Sequence, residues 1–98
     1  MAALNWTAEA AAWLEQIHDY IAEDNPPAAL RLVSSLYDRA QVLCDFPDLG
    51  HLYKTRAGRV VRILLYGHYR IAYLVKDGGD IDVLGVFHGA LDLDRYVK

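Results

Sequence analysis

Apolar residues follow two rhythms along this chain. From Ala8 to Glu23 they recur at helical spacing: Ala10, Trp13, Leu14, Ile17, Tyr20 and Ile21. Glu9, Gln16, Asp19 and Glu23 fall largely off that stripe. Thr7 is placed to cap this helix, and Glu9 puts a negative charge in its first turn, where the helix dipole favours one. Asp24-Asn25-Pro26-Pro27 ends the helix and begins another. Asn25 can cap, and proline is tolerated in a first turn because its missing N–H would lack a partner there. The second helix is expected from Pro26 to about Asp45, with Ala29, Val33, Leu36, Ala40 and Leu43 on its buried face. So short a break predicts an antiparallel helix hairpin.

After Arg59 the rhythm becomes that of strands. Val60–Tyr66, Tyr69–Lys76 and Ile81–His88 are rich in β-branched and aromatic residues and predict an antiparallel meander. Gly67-His68 suits a two-residue type II′ turn, and Asp77-Gly78-Gly79-Asp80 marks the second hairpin. Strict alternation groups Val61, Ile63 and Leu65 against Val60, Arg62, Leu64 and Tyr66. In the third strand it groups Ile81, Val83, Gly85 and Phe87 against Asp82, Leu84, Val86 and His88. Ala2–Trp6 reads as a short first strand and Phe46–Gly50 as a loop. His51–Ala57 reads as extended and exposed, with Ala57-Gly58 a break before the sheet. Leu91–Lys98 reads as a helical turn or a tail. The pattern predicts one α+β domain over residues 1–98: a short N-terminal strand, then a helix hairpin packed on a three- to four-stranded antiparallel sheet. Both sheet faces are apolar, so the outer one is expected to be partly covered or to meet a protein partner.

Composition narrows the function classes. The chain has 98 residues, 54% hydrophobic and 23% charged, which fits one globular domain. One cysteine, Cys44, excludes an internal disulfide and fits a reducing compartment; it is expected to be a small buried residue. Neither a membrane span nor a secretion signal is read, so a cytoplasmic location is expected. The net charge of −3 hides a division. Residues 1–50 hold eight acids and two bases, a balance of −6, and residues 51–98 hold five acids and eight bases, a balance of +3. No acid occurs from Leu49 to Lys76. The basic half points to an anionic partner surface, but the acidic total argues against tight binding of DNA or RNA. His18, His51, His68 and His88 show no ligand-pair spacing, so no metal or cofactor is expected.

The order of elements, taken with particular residues, resembles the RelE/ParE superfamily of bacterial toxins from type II toxin–antitoxin systems. Those residues are Trp6 before the first helix, the Asp24-Asn25-Pro26 break and the Leu43…Phe46-Pro47…Gly50 loop. Arg62, Tyr69-Arg70-Ile71-Ala72-Tyr73 and Val86-Phe87-His88-Gly89 complete the set. The resemblance implies growth inhibition, plasmid stabilisation and a co-encoded antitoxin that itself carries any operator-DNA binding. It also implies one of two targets. RelE-like members cut mRNA in the ribosomal A site, and ParE-like members poison DNA gyrase. Arg70 matches the family's strand arginine, and His88 falls where some nuclease members carry a histidine. Val61 and Ile63 replace an expected lysine pair, Leu91 replaces a common arginine, and Val86, Phe87 and Gly89 surround His88. That thin constellation favours the ParE-like reading, with Arg59, Arg62, Arg70, His88, Leu91 and Tyr96 as the target surface. The nuclease alternative would use Arg70, His88 and Arg62, and a third reading is a non-toxic antitoxin-binding module. Trp13, Ile17, Leu36 and Tyr37 are the candidate antitoxin contacts, with a homodimer or a toxin–antitoxin hetero-oligomer as the assembly. Each cation also has a structural reading. Arg70 would pair with Asp82, Arg62 with an acid of the tail, and His88 would cap a strand end.

Overall fold

Thr7 starts the first helix as its sequence position demands: its hydroxyl accepts from the Ala10 N–H at 3.1 Å. The same hydroxyl donates to the Val83 carbonyl at 2.7 Å, tying the helix start to a strand 76 residues away. The computed structural model describes residues 2–89 and 93–95. Helix α1 spans Ala8–Ala22 and α2 spans Pro26–Gln41, followed by a 3₁₀ turn at Val42–Cys44. Asn25 caps α2 by accepting from the Ala28 N–H at 3.1 Å.

The sheet has five strands: β1 Leu4–Trp6, β2 His51–Arg56, β3 Arg59–Tyr66, β4 Tyr69–Val75 and β5 Ile81–His88. Their spatial order is β1-β5-β4-β3-β2. The expected three- to four-stranded antiparallel sheet is therefore corrected to a five-stranded mixed one. β1 lies parallel to β5, pairing Leu4, Asn5 and Trp6 with Ile81, Asp82 and Val83. The segment at His51 is a true edge strand, and Ala57-Gly58 is the two-residue hairpin turn that joins it to β3. Both turn residues have positive φ, 51° at Ala57 and 79° at Gly58. Alanine rarely enters that region, so sequence gave no turn signal there. Gly67 also has positive φ and His68 does not, which fits the expected type II′ turn.

The helices cover one sheet face. Ala10, Leu36, Ala40 and Leu43 pack with Leu64, Ile71, Tyr73, Ile81, Val83 and Val86 in the main core. The outer face is buried as well, where Val61, Ile63, Ala72, Leu74 and Phe87 are joined by Leu93 from the 3₁₀ turn Leu93–Arg95. Strict alternation fails in β5. Ala72 pairs with Gly85 and Tyr73 with Val83, which leaves Leu84 as an extra bulged residue. Beyond the bulge Val86 turns to the helices and Phe87 to the outer face, reversing their expected grouping.

Candidate functional site

Two arginines dominate the reading of this sheet, and the fold sends them to different faces. Arg62 stands opposite Tyr73, whose ring belongs to the helix-side core. Its guanidinium donates to the Gly50 carbonyl at 2.8 Å and lies 3.6 Å from Asp48. Beside it the buried Tyr73 hydroxyl donates to the Pro47 carbonyl at 2.7 Å and accepts from the Gly50 N–H at 2.9 Å. Together these side chains clamp the loop before β2. Gly50 is required here, because an added Cβ would sit 2.7 Å from the Tyr73 ring and 2.8 Å from the Ile63 carbonyl. Burial raises the Tyr73 hydroxyl above its ordinary pKa of 10.0, opposed by the hydrogen bond from Gly50 and by the Arg62 charge. Arg62 thus pairs with a loop acid rather than an acid of the tail.

Arg70 stands opposite Leu65 and Phe87 and so belongs to the outer face, near the end of the sheet. Its expected partner Asp82 lies elsewhere, opposite Leu74 and 3.2 Å from the Lys76 ammonium. Among the described residues Arg70 makes no ion pair. It lines a pocket of about 370 Å³ with Leu65, Gly67, His68, Tyr69, His88 and Gly89. The His68 and His88 rings lie 6.2 Å apart and nearly parallel, and Tyr69 meets His88 edge-on at 5.6 Å. The Gly89 N–H donates to the His68 carbonyl at 2.7 Å, drawing the end of β5 against the β3–β4 turn.

Of the expected target surface, Arg70 and His88 come together. Arg62 is committed to the loop. Arg59 is exposed beside Asp77, at 4.0 Å, six residues up β3 from Leu65 and so roughly 20 Å from Arg70. Leu91 and Tyr96 lie outside the described residues. His68 was not singled out as a site residue in the sequence, because nothing there shows that a turn residue and a strand end will meet.

The candidate antitoxin contacts divide as well. Trp13 and Ile17 line a groove of about 520 Å³ with Gln16, Tyr20, Tyr69, Val86 and His88. Leu36 is fully buried and offers no surface, since the same stripe that made it a candidate turns it into the core. Tyr37 stacks on Trp6 at 5.8 Å, away from that groove. Tyr20, expected in the core, is 77% exposed. Cys44 is half-buried, its thiol 3.7 Å from the Gln41 side-chain oxygen. No group of three or more potential metal ligands forms among the described residues. No helix among them is long and apolar enough to cross a membrane.

The family model described as ParE toxin of type II toxin–antitoxin system, parDE, matches residues 4–93. The chain belongs to this ParE toxin family. Within the wider RelE/ParE superfamily, Toxin RelE2 of Caulobacter vibrioides is 35% identical over 78 residues, spanning 80% of this chain and 85% of its own length. Putative toxin Y4kP of Sinorhizobium fredii is 29% identical over 85 residues, spanning 87% and 85%. Among solved structures, the chromosomal ParDE system from P. aeruginosa superposes with a TM-score of 0.76 at 26% identity, covering 90% of this chain and 96% of that one. The RelBE2 toxin–antitoxin complex from Mycobacterium tuberculosis shares the fold, with a TM-score of 0.64 at 22% identity over 89% and 96%. This ParE-family toxin therefore carries the superfamily's helix hairpin and sheet, with its unpaired arginine and two histidines at one end.

Proposed function

We propose that this toxin arrests growth by binding DNA gyrase in the cytoplasm and is neutralised by a cognate antitoxin. The observation that carries the reading is the division of its cations. A phosphoryl-transfer site needs several convergent charges, yet Arg62 is turned to the opposite face and held by Gly50 and Asp48. Arg70 remains beside an apolar groove, a combination that suits a protein surface. Support for an antitoxin partner comes from the ParDE and RelBE2 assemblies in which the structural relatives were solved. The test is a supercoiling assay with purified gyrase and purified toxin. Inhibition reversed by the antitoxin is the expected result, and unaffected supercoiling at saturating toxin would overturn the reading.

One arrangement favours a second reading, a RelE-like endoribonuclease. His68 and His88 flank a pocket that also holds Arg70. In cleavage by 2′-OH attack, one imidazole would take the hydroxyl proton and the other would protonate the departing 5′-oxygen. Arg70 would hold the charged phosphate between them. Codon-specific mRNA breaks in a translating extract, lost in both His68→Gln and His88→Gln, would establish it. Harmless overexpression without antitoxin would instead favour a non-toxic antitoxin-binding module.

A further inference from the structure

The arginine pocket and the apolar groove both include Tyr69 and His88, so they form one channel. Arg70 and His68 stand at one end, and Ile17 and Tyr20 on α1 at the other. No carboxylate lines either part. A guanidinium without an ion-pair partner among the described residues, next to an apolar trough, fits a ligand that carries both a negative charge and an apolar flank.

Two features weigh against nucleic acid. Polyphosphate recognition rests on several cations along a track, and this channel has one arginine. Single-strand binding also needs open aromatic faces. Here Trp13 is engaged with Phe87 at 4.8 Å and Tyr69 with His88 at 5.6 Å, both edge-on. Ile17, Val86 and the exposed Tyr20 present surface better suited to aliphatic side chains.

We infer that this channel binds a protein segment in which an aspartate or glutamate is flanked by aliphatic residues. The carboxylate sits on the Arg70 guanidinium as a charge-assisted, two-point contact. The aliphatic flank lies along Ile17 and Tyr20. This inference rests on the reading of a protein target given above and supplies the chemistry of the segment recognised.

The experiment is an NMR titration of the full ¹⁵N-labelled toxin with three probes: a short peptide carrying one aspartate among leucines, its asparagine counterpart, and a uridine oligonucleotide. The expected result is that the aspartate peptide shifts resonances at both ends of the channel. Its dissociation constant should rise roughly fivefold with the asparagine peptide and with Arg70→Gln, the scale of one charged contact. Tyr20→Ser should weaken both peptides alike. Equal binding of the two peptides, shifts with the oligonucleotide alone, or no shifts with any probe would each overturn the inference. The supercoiling assay stays separate. Peptide binding without gyrase inhibition sinks the gyrase reading and leaves the channel, whereas inhibition without peptide binding does the reverse.

Discussion

Arg62 and Arg70 sit on neighbouring antiparallel strands, each flanked by apolar residues, yet they do opposite things. Arg62 donates to a backbone carbonyl and holds a loop against the helix-side core. Arg70, on the other face, makes no ion pair with any described residue and opens into a pocket. A charged hydrogen bond to a partly buried carbonyl is worth about 1.5–3 kcal/mol, far more than an ion pair with an exposed acid such as Asp48. The lesson is that an arginine's role here follows from face and register. Residue type and local sequence are nearly the same for both.

The comparison can be broken most forcefully at the clamp. Tyr73→Phe removes the donor to Pro47 and the acceptor for the Gly50 N–H inside the core. A loss of about 2–3 kcal/mol in urea unfolding is expected, because a buried N–H loses its partner. Next comes Arg62→Ala, expected to cost about 1.5–2 kcal/mol, mainly through the Gly50 contact. Arg70→Gln should shift stability by no more than about 0.5 kcal/mol. Under the gyrase reading it should raise the toxin concentration needed for inhibition by roughly tenfold. A large loss of stability in Arg70→Gln, or none in Arg62→Ala, would erase the distinction between the two arginines.

A pH series sharpens it further. Since burial raises the Tyr73 pKa, the fold favours the protonated hydroxyl. Its contribution is complete below the ordinary value of 10.0 and is lost as pH climbs through the higher folded value. Wild-type stability should therefore fall more steeply above pH 10 than that of Tyr73→Phe, measured as the difference in urea midpoint. The smallest effect lies at the β2–β3 turn. Ala57→Gly relieves a left-handed backbone at φ 51° and should stabilise by about 0.5–1 kcal/mol, visible as a rise in Tm.

The helices were legible because their punctuation is local. Thr7 and Asn25 cap as their side chains and positions dictate. Gly67 likewise announced its turn. Ala57 did not, since alanine carries no preference for the conformation it adopts, and β2 lost its hairpin signal with it. The β5 bulge was hidden by composition, because Val83, Leu84, Val86 and Phe87 are all apolar and any slip keeps the pattern hydrophobic. Tyr20 was misplaced because a helical stripe fixes direction but not how far the covering sheet reaches. The candidate site suffered most. Arg70 and His88 were readable as chemistry, but their union with His68 depends on a turn folding onto a strand end.

The parallel pairing of β1 with β5 has a consequence in time. Residues 4–6 leave the ribosome first, yet their partners, residues 81–83, are made near the end of synthesis. Until then the first strand has nothing to bond to, and the loop to be closed spans most of the chain. The histidine at the end of β5 arrives later still. A copy interrupted before that strand lacks both the closing partner and one wall of the channel. The reading frame thus guards itself: an unfinished toxin is expected to be a harmless one.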